Sequence, residues 1–403
     1  MNFSGIIQPN TVKKRFLSYA ITSLALWATN PTLPGGQAPT PEQDAPRSFS
    51  LDDAFEKLWS LPVLYKSETN PYVQRVAFTG RYQGQLWGLN SDYGSASGWE
   101  NRRQRLGARI DFLEQFQAHI TFNLNFDGAN TGRFFETYED FGLKWNPAKE
   151  INLDVGLFKV PITNEWRASS NVILTIERSD FINMAVPPKL GGILASGETR
   201  GFTEGSAFTY GAGLYTAARG EDWAAPTFNG GAVIYSGVGY RFNDNHELRF
   251  DSGILTGDSE NNAAPPYSYT AALSYAGLFL KDKLSLQSDL VMGIGAENTA
   301  DLFGIIILPS YRLTDRIELV ARYQYLASNE SDGVQLQRRY ERRAPDLPTS
   351  LGNHYQAVYG GINYYIYKNR MKIMGGLEYS HMNLDNDGAY NQLTLFGAFR
   401  VWF

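Results

Sequence analysis

Arginine recurs on one parity near residue 100, at Arg103, Arg105 and Arg109, with Arg81 upstream and Arg400 near the last residue. Side chains two positions apart on a β-strand share a face, so this spacing would align guanidiniums into a surface that attracts anions. Leu106, Ala108, Ile110 and Phe112 take the opposite parity. An arginine facing lipid at a bilayer midplane costs about 2–4 kcal/mol, which favours turning all five arginines to water. Other reactive spacings are missing. His119, His246, His354 and His381 form no His-x₃-His or Ser/His/Asp signature. With no cysteine in 403 residues, thiolate metal sites, disulfides and Cys nucleophiles are excluded. No enzyme, metal site or cofactor is expected, and a barrel hydrolase is the remote alternative.

The arginines imply strands to carry them. The closing segment alternates Leu393, Leu395, Gly397, Phe399, Val401 and Phe403 with Thr394, Phe396, Ala398, Arg400 and Trp402. A segment of about ten alternating residues is long enough for a tilted strand to cross a bilayer. The run 116–126 is the clearest case, apolar at Phe116, Ala118, Ile120, Phe122, Leu124 and Phe126 and polar between them. Similar runs lie at 74–89, 102–113, 134–145, 151–158, 189–197, 207–217, 230–242 and 247–256. The rest lie at 267–280, 284–295, 302–312, 316–327, 354–367, 371–382 and 390–403. Connections alternate between tight (114–115, 146–150, 242–245, 281–283, 313–315, 368–370) and long (90–101, 159–188, 218–228, 257–266, 328–353). That asymmetry belongs to outer-membrane barrels with short periplasmic turns. Composition agrees, with 24 Tyr, 24 Phe and 39 Gly at a mean hydropathy of −0.32. No run of about 18 apolar residues exists for a transmembrane helix. The expectation is an all-β transmembrane antiparallel barrel of about sixteen strands in a bacterial outer membrane.

Three regions precede or form that barrel. Lys13-Lys14-Arg15 followed by an apolar stretch to Ala28 reads as a signal peptide over 1–28, cleaved after Ala28 or Ala38. Residues 29–72 read as a periplasmic Pro-rich tether and a short amphipathic helix near 51–61, with Leu51, Phe55, Leu58 and Trp59 on one face. Such a helix would pack at the periplasmic mouth or hold a partner. Residues 73–403 form the barrel. Without 1–28 the formal charge goes from −5 to −8, leaving no nucleic-acid footprint.

Parity also gives the lumen. Besides the five arginines, Lys144, Arg241, Arg249, Arg322 and Lys372 face in, opposed by Asp111, Asp140, Asp154, Glu247, Asp251, Asp289, Glu318 and Glu378. The long third connection is too apolar to stay in water, with Trp166, Val172, Ile173, Leu174, Ile176, Phe181 and Ile182. It should fold into the barrel and narrow it, bringing Glu165, Arg167, Glu177, Arg178 and Asp180 as constriction charges. The acids would hold the arginine wall apart. Arg338-Arg339-Tyr340-Glu341-Arg342-Arg343 reads as a solvated basic loop, with an anion-collecting vestibule, lipopolysaccharide or a partner as its functional reading. The whole implies passive diffusion of small hydrophilic solutes, with anions preferred. A substrate-specific channel for sugars or another nutrient is the alternative.

Gly156-Leu-Phe-Lys-Val-Pro161, Ser169-Ser170, Glu177-Arg-Ser179, Leu190-Gly-Gly-Ile-Leu-Ala-Ser-Gly197 and Arg102-Arg103 leading into Leu106-Gly107 resemble the phosphate-selective porin O and P family. The resemblance is spread over about residues 75–403 and is most distinctive over about 100–200. It implies a homotrimeric channel in outer-membrane lipid and lipopolysaccharide, with an inward third loop and a basic pathway for anions. Lys159, with Arg81, Arg103, Arg105, Arg109 and Arg400, could match that pathway. Ile162-Thr163 depart from the family pattern, which often has an aromatic and Gly there.

Overall fold

The computed structural model describes residues 51–125, 134–217, 230–257, 264–385 and 388–403. The expected signal peptide and Pro-rich tether lie outside these residues, as do all of 218–228 and part of 257–266.

Sixteen long strands form among the described residues. They are β1 Val73–Ser91, β2 Gly94–Phe112, β3 Phe116–Leu124, β4 Phe135–Ala148, β5 Ile151–Lys159, β6 Lys189–Arg200, β7 Ala207–Thr216 and β8 Ala232–Asn243. The second half is β9 His246–Thr256, β10 Tyr267–Phe279, β11 Leu284–Gly295, β12 Leu302–Arg312, β13 Ile317–Ser328, β14 Leu351–Tyr367, β15 Met371–Leu384 and β16 Ala389–Trp402. Each pairs antiparallel with the next, and β16 pairs with β1 from Gln392↔Ser91 to Trp402↔Arg81. This closes the barrel. Closure gives every spanning strand two partners, the condition for placing strands in hydrocarbon.

Side-chain alternation sorts the two faces as lipid and lumen require. On β16, Leu393 and Leu395 stay half exposed on the outside, while Thr394, Phe396, Ala398 and Arg400 are buried inside. Aromatic rings stack along the turn ends of the outer wall, as in Phe112–Phe116 at 5.4 Å and Phe116–Trp145 at 6.4 Å. Such rings suit the membrane interface.

The strand ends differ from the sequence reading in one place. Residues 90–101 are a continuation of β1 and β2, joined by a tight turn at Asp92-Tyr93. Neighbouring chain supplies what a loop would have taken from water. Asp92 N donates to Asn391 O at 3.1 Å, Asp346 N donates to Tyr93 O at 3.1 Å, and Tyr93 stacks on Tyr390.

At the opposite end, α1 (Leu51–Ser60) docks on the rim. Trp59 Nε1 donates to Trp402 O at 2.7 Å, and the Phe55 and Trp59 rings lie 5.0 and 4.9 Å from Tyr367. Glu56 pairs with Lys368. Leu51 and Leu58, expected on the packed face, are exposed, because the helix meets the rim through Phe55, Trp59 and Glu56 instead. Residues Val63–Lys66 then pair with β1 at Ala77, Val76 and Arg75, below the point where β16 ends. They cover the edge that the C-terminus leaves open.

Gly156, which opens the motif ending at Pro161, has φ +143°, and a Cβ there would lie 2.2 Å from Phe141 O. Only glycine fits that crossing of β4 and β5. Gly156→Val should lower yield of the heat-modifiable barrel on gels and cost several kcal/mol in unfolding. Wild-type mobility and midpoint would refute the crowding.

Candidate functional site in the barrel lumen

The third outer connection (residues 160–188, hereafter loop three) lies inside the barrel. Val160, Ile162, Val172, Ile173, Leu174, Ile176, Phe181 and Ile182 are all buried. Its only helices are the short α2 (Asn164–Arg167) and α3 (Asp180–Met184). Irregular backbone in a lumen must find donors for its carbonyls, and the wall supplies them. Lys159 Nζ donates to Trp166 O and Ala168 O at 2.7 Å each. Gln83 serves Ser170 O at 2.8 Å, Lys372 serves Ile173 O at 3.0 Å, and Asn363 serves Leu174 O at 2.9 Å. Arg400 donates to Ile176 O and Arg322 to Glu177 O. Arg178, within the loop, closes it by bonding Glu165 O at 2.9 Å and Ala168 O at 3.0 Å.

Ion pairs pin the loop at three places. Arg322, 2% exposed, bridges Glu165 at 3.2 Å and Glu378 at 2.8 Å. Glu177 meets Arg102 at 2.7 Å and accepts from Gln85 at 2.9 Å. Burial works to raise the Glu177 pKa, but Arg102, Arg339 and Arg103 outweigh it and hold the group well below the carboxylate range. Arg167 pairs with Asp251 and bonds Asn164 Oδ1 at 2.7 Å. Asp180 meets no cation within salt-bridge distance among the described residues; its Oδ2 is buried without a partner.

Loop three packs most fully against β13–β16 and also reaches β1, β9 and β11 through Gln83, Asp251 and Asp289. Inward residues of β13–β16 are buried, with Lys372 at 1% and Glu378 at 2%, whereas most of those on β2–β4 keep intermediate exposure, Arg103 at 7% excepted. The open passage therefore runs along β2–β6. Arg105 there pairs with Glu139 at 2.5 Å, and Lys189 bridges Glu139 and Asp140. Arg81 donates to Ser170 Oγ and Arg103 to Gln83 Oε1 at 2.7 Å. Arg109 lies further toward the turns, opposite His119 and paired with Asp111 at 2.8 Å.

Two of these partners escape simple parity. The β1–β2 register slips between Gln83 and Gly84, leaving Arg102 as an extra residue. The β3–β4 register slips between Thr121 and Phe122, leaving Glu139 extra. A bulge turns two consecutive side chains to the same face, so Arg102-Arg103 and Glu139-Asp140 all enter the lumen. The counter-charges thus differ from the expected ones. Of loop three's acids only Glu177 meets the arginine wall, through Arg102, while Glu139 and Asp111 on the strands balance Arg105 and Arg109.

A family model for phosphate-selective porin O and P matches residues 76–278, half of the sequence. The chain belongs to that family. No curated protein matches it in sequence. The anion-selective porin of Comamonas acidovorans shares the fold, with 15% identity, TM-score 0.55, and coverage of 81% of this chain and 99% of that one. The outer membrane channel DcaP of Acinetobacter baumannii matches at 10% identity and TM-score 0.55, over 84% and 99%. OprB of Pseudomonas putida matches at 13% and 0.54, over 81% and 94%. The protein is a channel of the bacterial outer membrane, not an enzyme.

A second segment of this porin enters the lumen where a solvated loop was expected. In the seventh outer connection (residues 329–350, hereafter loop seven) Leu336, Gln337, Tyr340, Glu341 and Ala344 are buried. Tyr340 packs edge-on against Phe396 and donates to Glu378 at 2.7 Å. Tyr355 donates to Glu341 at 2.8 Å. The apolar spacing Val334, Leu336 and Tyr340 was the signal, hidden behind four arginines. Burial, then the nearby Glu378 carboxylate, pushes Glu341 from 4.5 up to about 7. Burial, then Glu341 and Glu378, shifts Asp180 well above 3.8.

Arg322→Met should strand two buried carboxylates and cost about 3–5 kcal/mol, read as a lower unfolding temperature together with raised conductance as loop three loosens. An unchanged midpoint would remove Arg322 as the anchor. Glu341 is favoured neutral when docked, so its contribution is full below pH about 4.5 and is lost as pH rises through about 7. A spin label on Arg338→Cys, in a chain with no other cysteine, should gain mobility between pH 5 and 8.5. Glu341→Gln should flatten that change; a persistent one would place the titration elsewhere.

Proposed function

We propose that this outer-membrane porin conducts small hydrophilic solutes with a preference for anions such as phosphate. One observation carries the reading. Arg81, Arg103, Lys159, Arg178, Lys372 and Arg400 bond only neutral oxygens around loop three. These oxygens are neutral and carry no compensating charge, so the lumen around loop three keeps a positive field. Arg81, Arg105 and Lys159 retain partial exposure beside the passage and form the proposed anion path. Glu165, Arg167, Glu177, Arg178 and Asp180 shape the constriction from the loop. The family's description and the anion-selective Comamonas relative support the same preference.

The proposal includes export through the leader at 1–28 and assembly as a homotrimer in lipid and lipopolysaccharide. For assembly, the outer face of β1 offers Gly80, Gly84 and Gly88, and Tyr82 OH donates to Asn101 there at 2.8 Å. With the Phe403 and Trp99 rings seated over Gly80 and Gly84, this face would present aromatic and polar atoms to a neighbouring copy.

Arg81→Gln with Arg105→Gln should lower the anion/cation permeability ratio roughly two- to threefold in salt-gradient reversal potentials. Arg109→Gln should do less, since screening acts over about 8–10 Å. Cation selectivity of the wild type would reject the anion preference and leave the channel intact.

A further inference from the structure

Outside loop three, between loop seven and the β1–β2 and β11–β12 tips, lies an open cavity of about 1230 Å³. Pockets of about 300–1,000 Å³ accept whole organic molecules, so this space greatly exceeds one inorganic oxyanion. Its charges are unevenly used. Arg339 is paired with Glu100, and Arg342 is spent on Leu336 O and Gln335 Oε1. Arg338 and Arg343 line the same cavity, are exposed, and meet no carboxylate within 4.0 Å among the described residues. Two guanidiniums are thus presented to an anion at the rim.

The floor asks for something different. Asp180 lines it with only 2% exposure, and its Oδ2 has no hydrogen-bond partner. A buried carboxyl oxygen left unpaired carries a desolvation penalty that a partner would relieve. A hydroxyl, donor and acceptor at once, satisfies it in either ionisation state, whereas a fully ionised oxyanion satisfies only the protonated form. Asn183 adds an amide beside it. The wall carries Trp87, half-buried, its ring seated on Gly98, where a Cβ would come within 2.9 Å. Gly98 therefore makes room for a broad apolar face turned to the cavity.

Guanidinium rim, hydroxyl-seeking floor and aromatic wall describe one kind of molecule. We propose that the vestibule binds a polyhydroxylated ring bearing one oxyanionic group, a sugar phosphate or a sugar acid, before it enters the passage. The oxyanion meets Arg338 and Arg343, the hydroxyls meet Asp180 and Asn183, and the ring lies against Trp87. This rests on the channel reading and names its solute class.

The test uses the full chain in planar bilayers, reading block of potassium chloride current by glucose 6-phosphate, glucuronate, glucose and inorganic phosphate. Glucose 6-phosphate should half-block at a concentration at least tenfold below that of glucose or phosphate. Trp87→Ala, and Arg338→Ala with Arg343→Ala, should each weaken that block at least fivefold; the arginines are exposed, so the double variant folds. Glucuronate matching glucose 6-phosphate supports the proposal and assigns either oxyanion. Glucuronate failing restricts it to phosphate esters. Phosphate blocking equally well overturns it in favour of a simple oxyanion collector, and glucose doing so overturns it in favour of a neutral-sugar site. Absence of any current instead rejects the channel reading.

Discussion

The lumen of this porin is organised by one requirement: a long irregular segment must be held inside a barrel without secondary structure of its own. Arg322 is where that requirement is met most completely. It joins Glu165 of loop three to Glu378 of β15 and caps the Glu177 carbonyl, all out of water. Replacing one member of such a triad leaves uncompensated charge, whereas the intact set fixes a unique geometry. The remaining wall donors extend the same principle along the loop, one carbonyl at a time.

That solution has an electrostatic consequence. A donor that serves a carbonyl need not be charged, yet here most are lysines and arginines. Their hydrogen bonds are filled by neutral oxygens, so positive charge accumulates at the narrowest point although the chain as a whole is acidic. Stabilising the loop and supplying the proposed anion bias are then two effects of the same side chains. On the open side, Glu139 and Asp140 keep Arg105 and Lys189 close to the wall, which moderates the field without cancelling it.

Loop seven works on a different balance. It buries Glu341 near Asp180 and Glu378, where burial and the neighbouring carboxylates favour the neutral acid. Carboxyl groups thus anchor the outer end of the lumen, whereas guanidiniums and ammoniums anchor loop three.

Alternation along the strands determined nearly all of the architecture from sequence alone, because lipid outside and water inside impose period two with few exceptions. Strand number, both barrel faces and the inward arginines followed from it, and the third connection's apolar content pointed it inward. Parity fails where the backbone bulges, and the two bulges that bring Arg102 and Glu139 into the lumen leave no mark in composition. Partner choice was equally hidden. Whether Arg105 meets Glu139 or an acid of loop three depends on how an irregular segment crosses the lumen, and that path is set by contacts among strands far apart in the chain. Loop seven's burial was decided the same way: its arginines read as solvated until the wall offered Tyr355 and Phe396 to pack the residues between them.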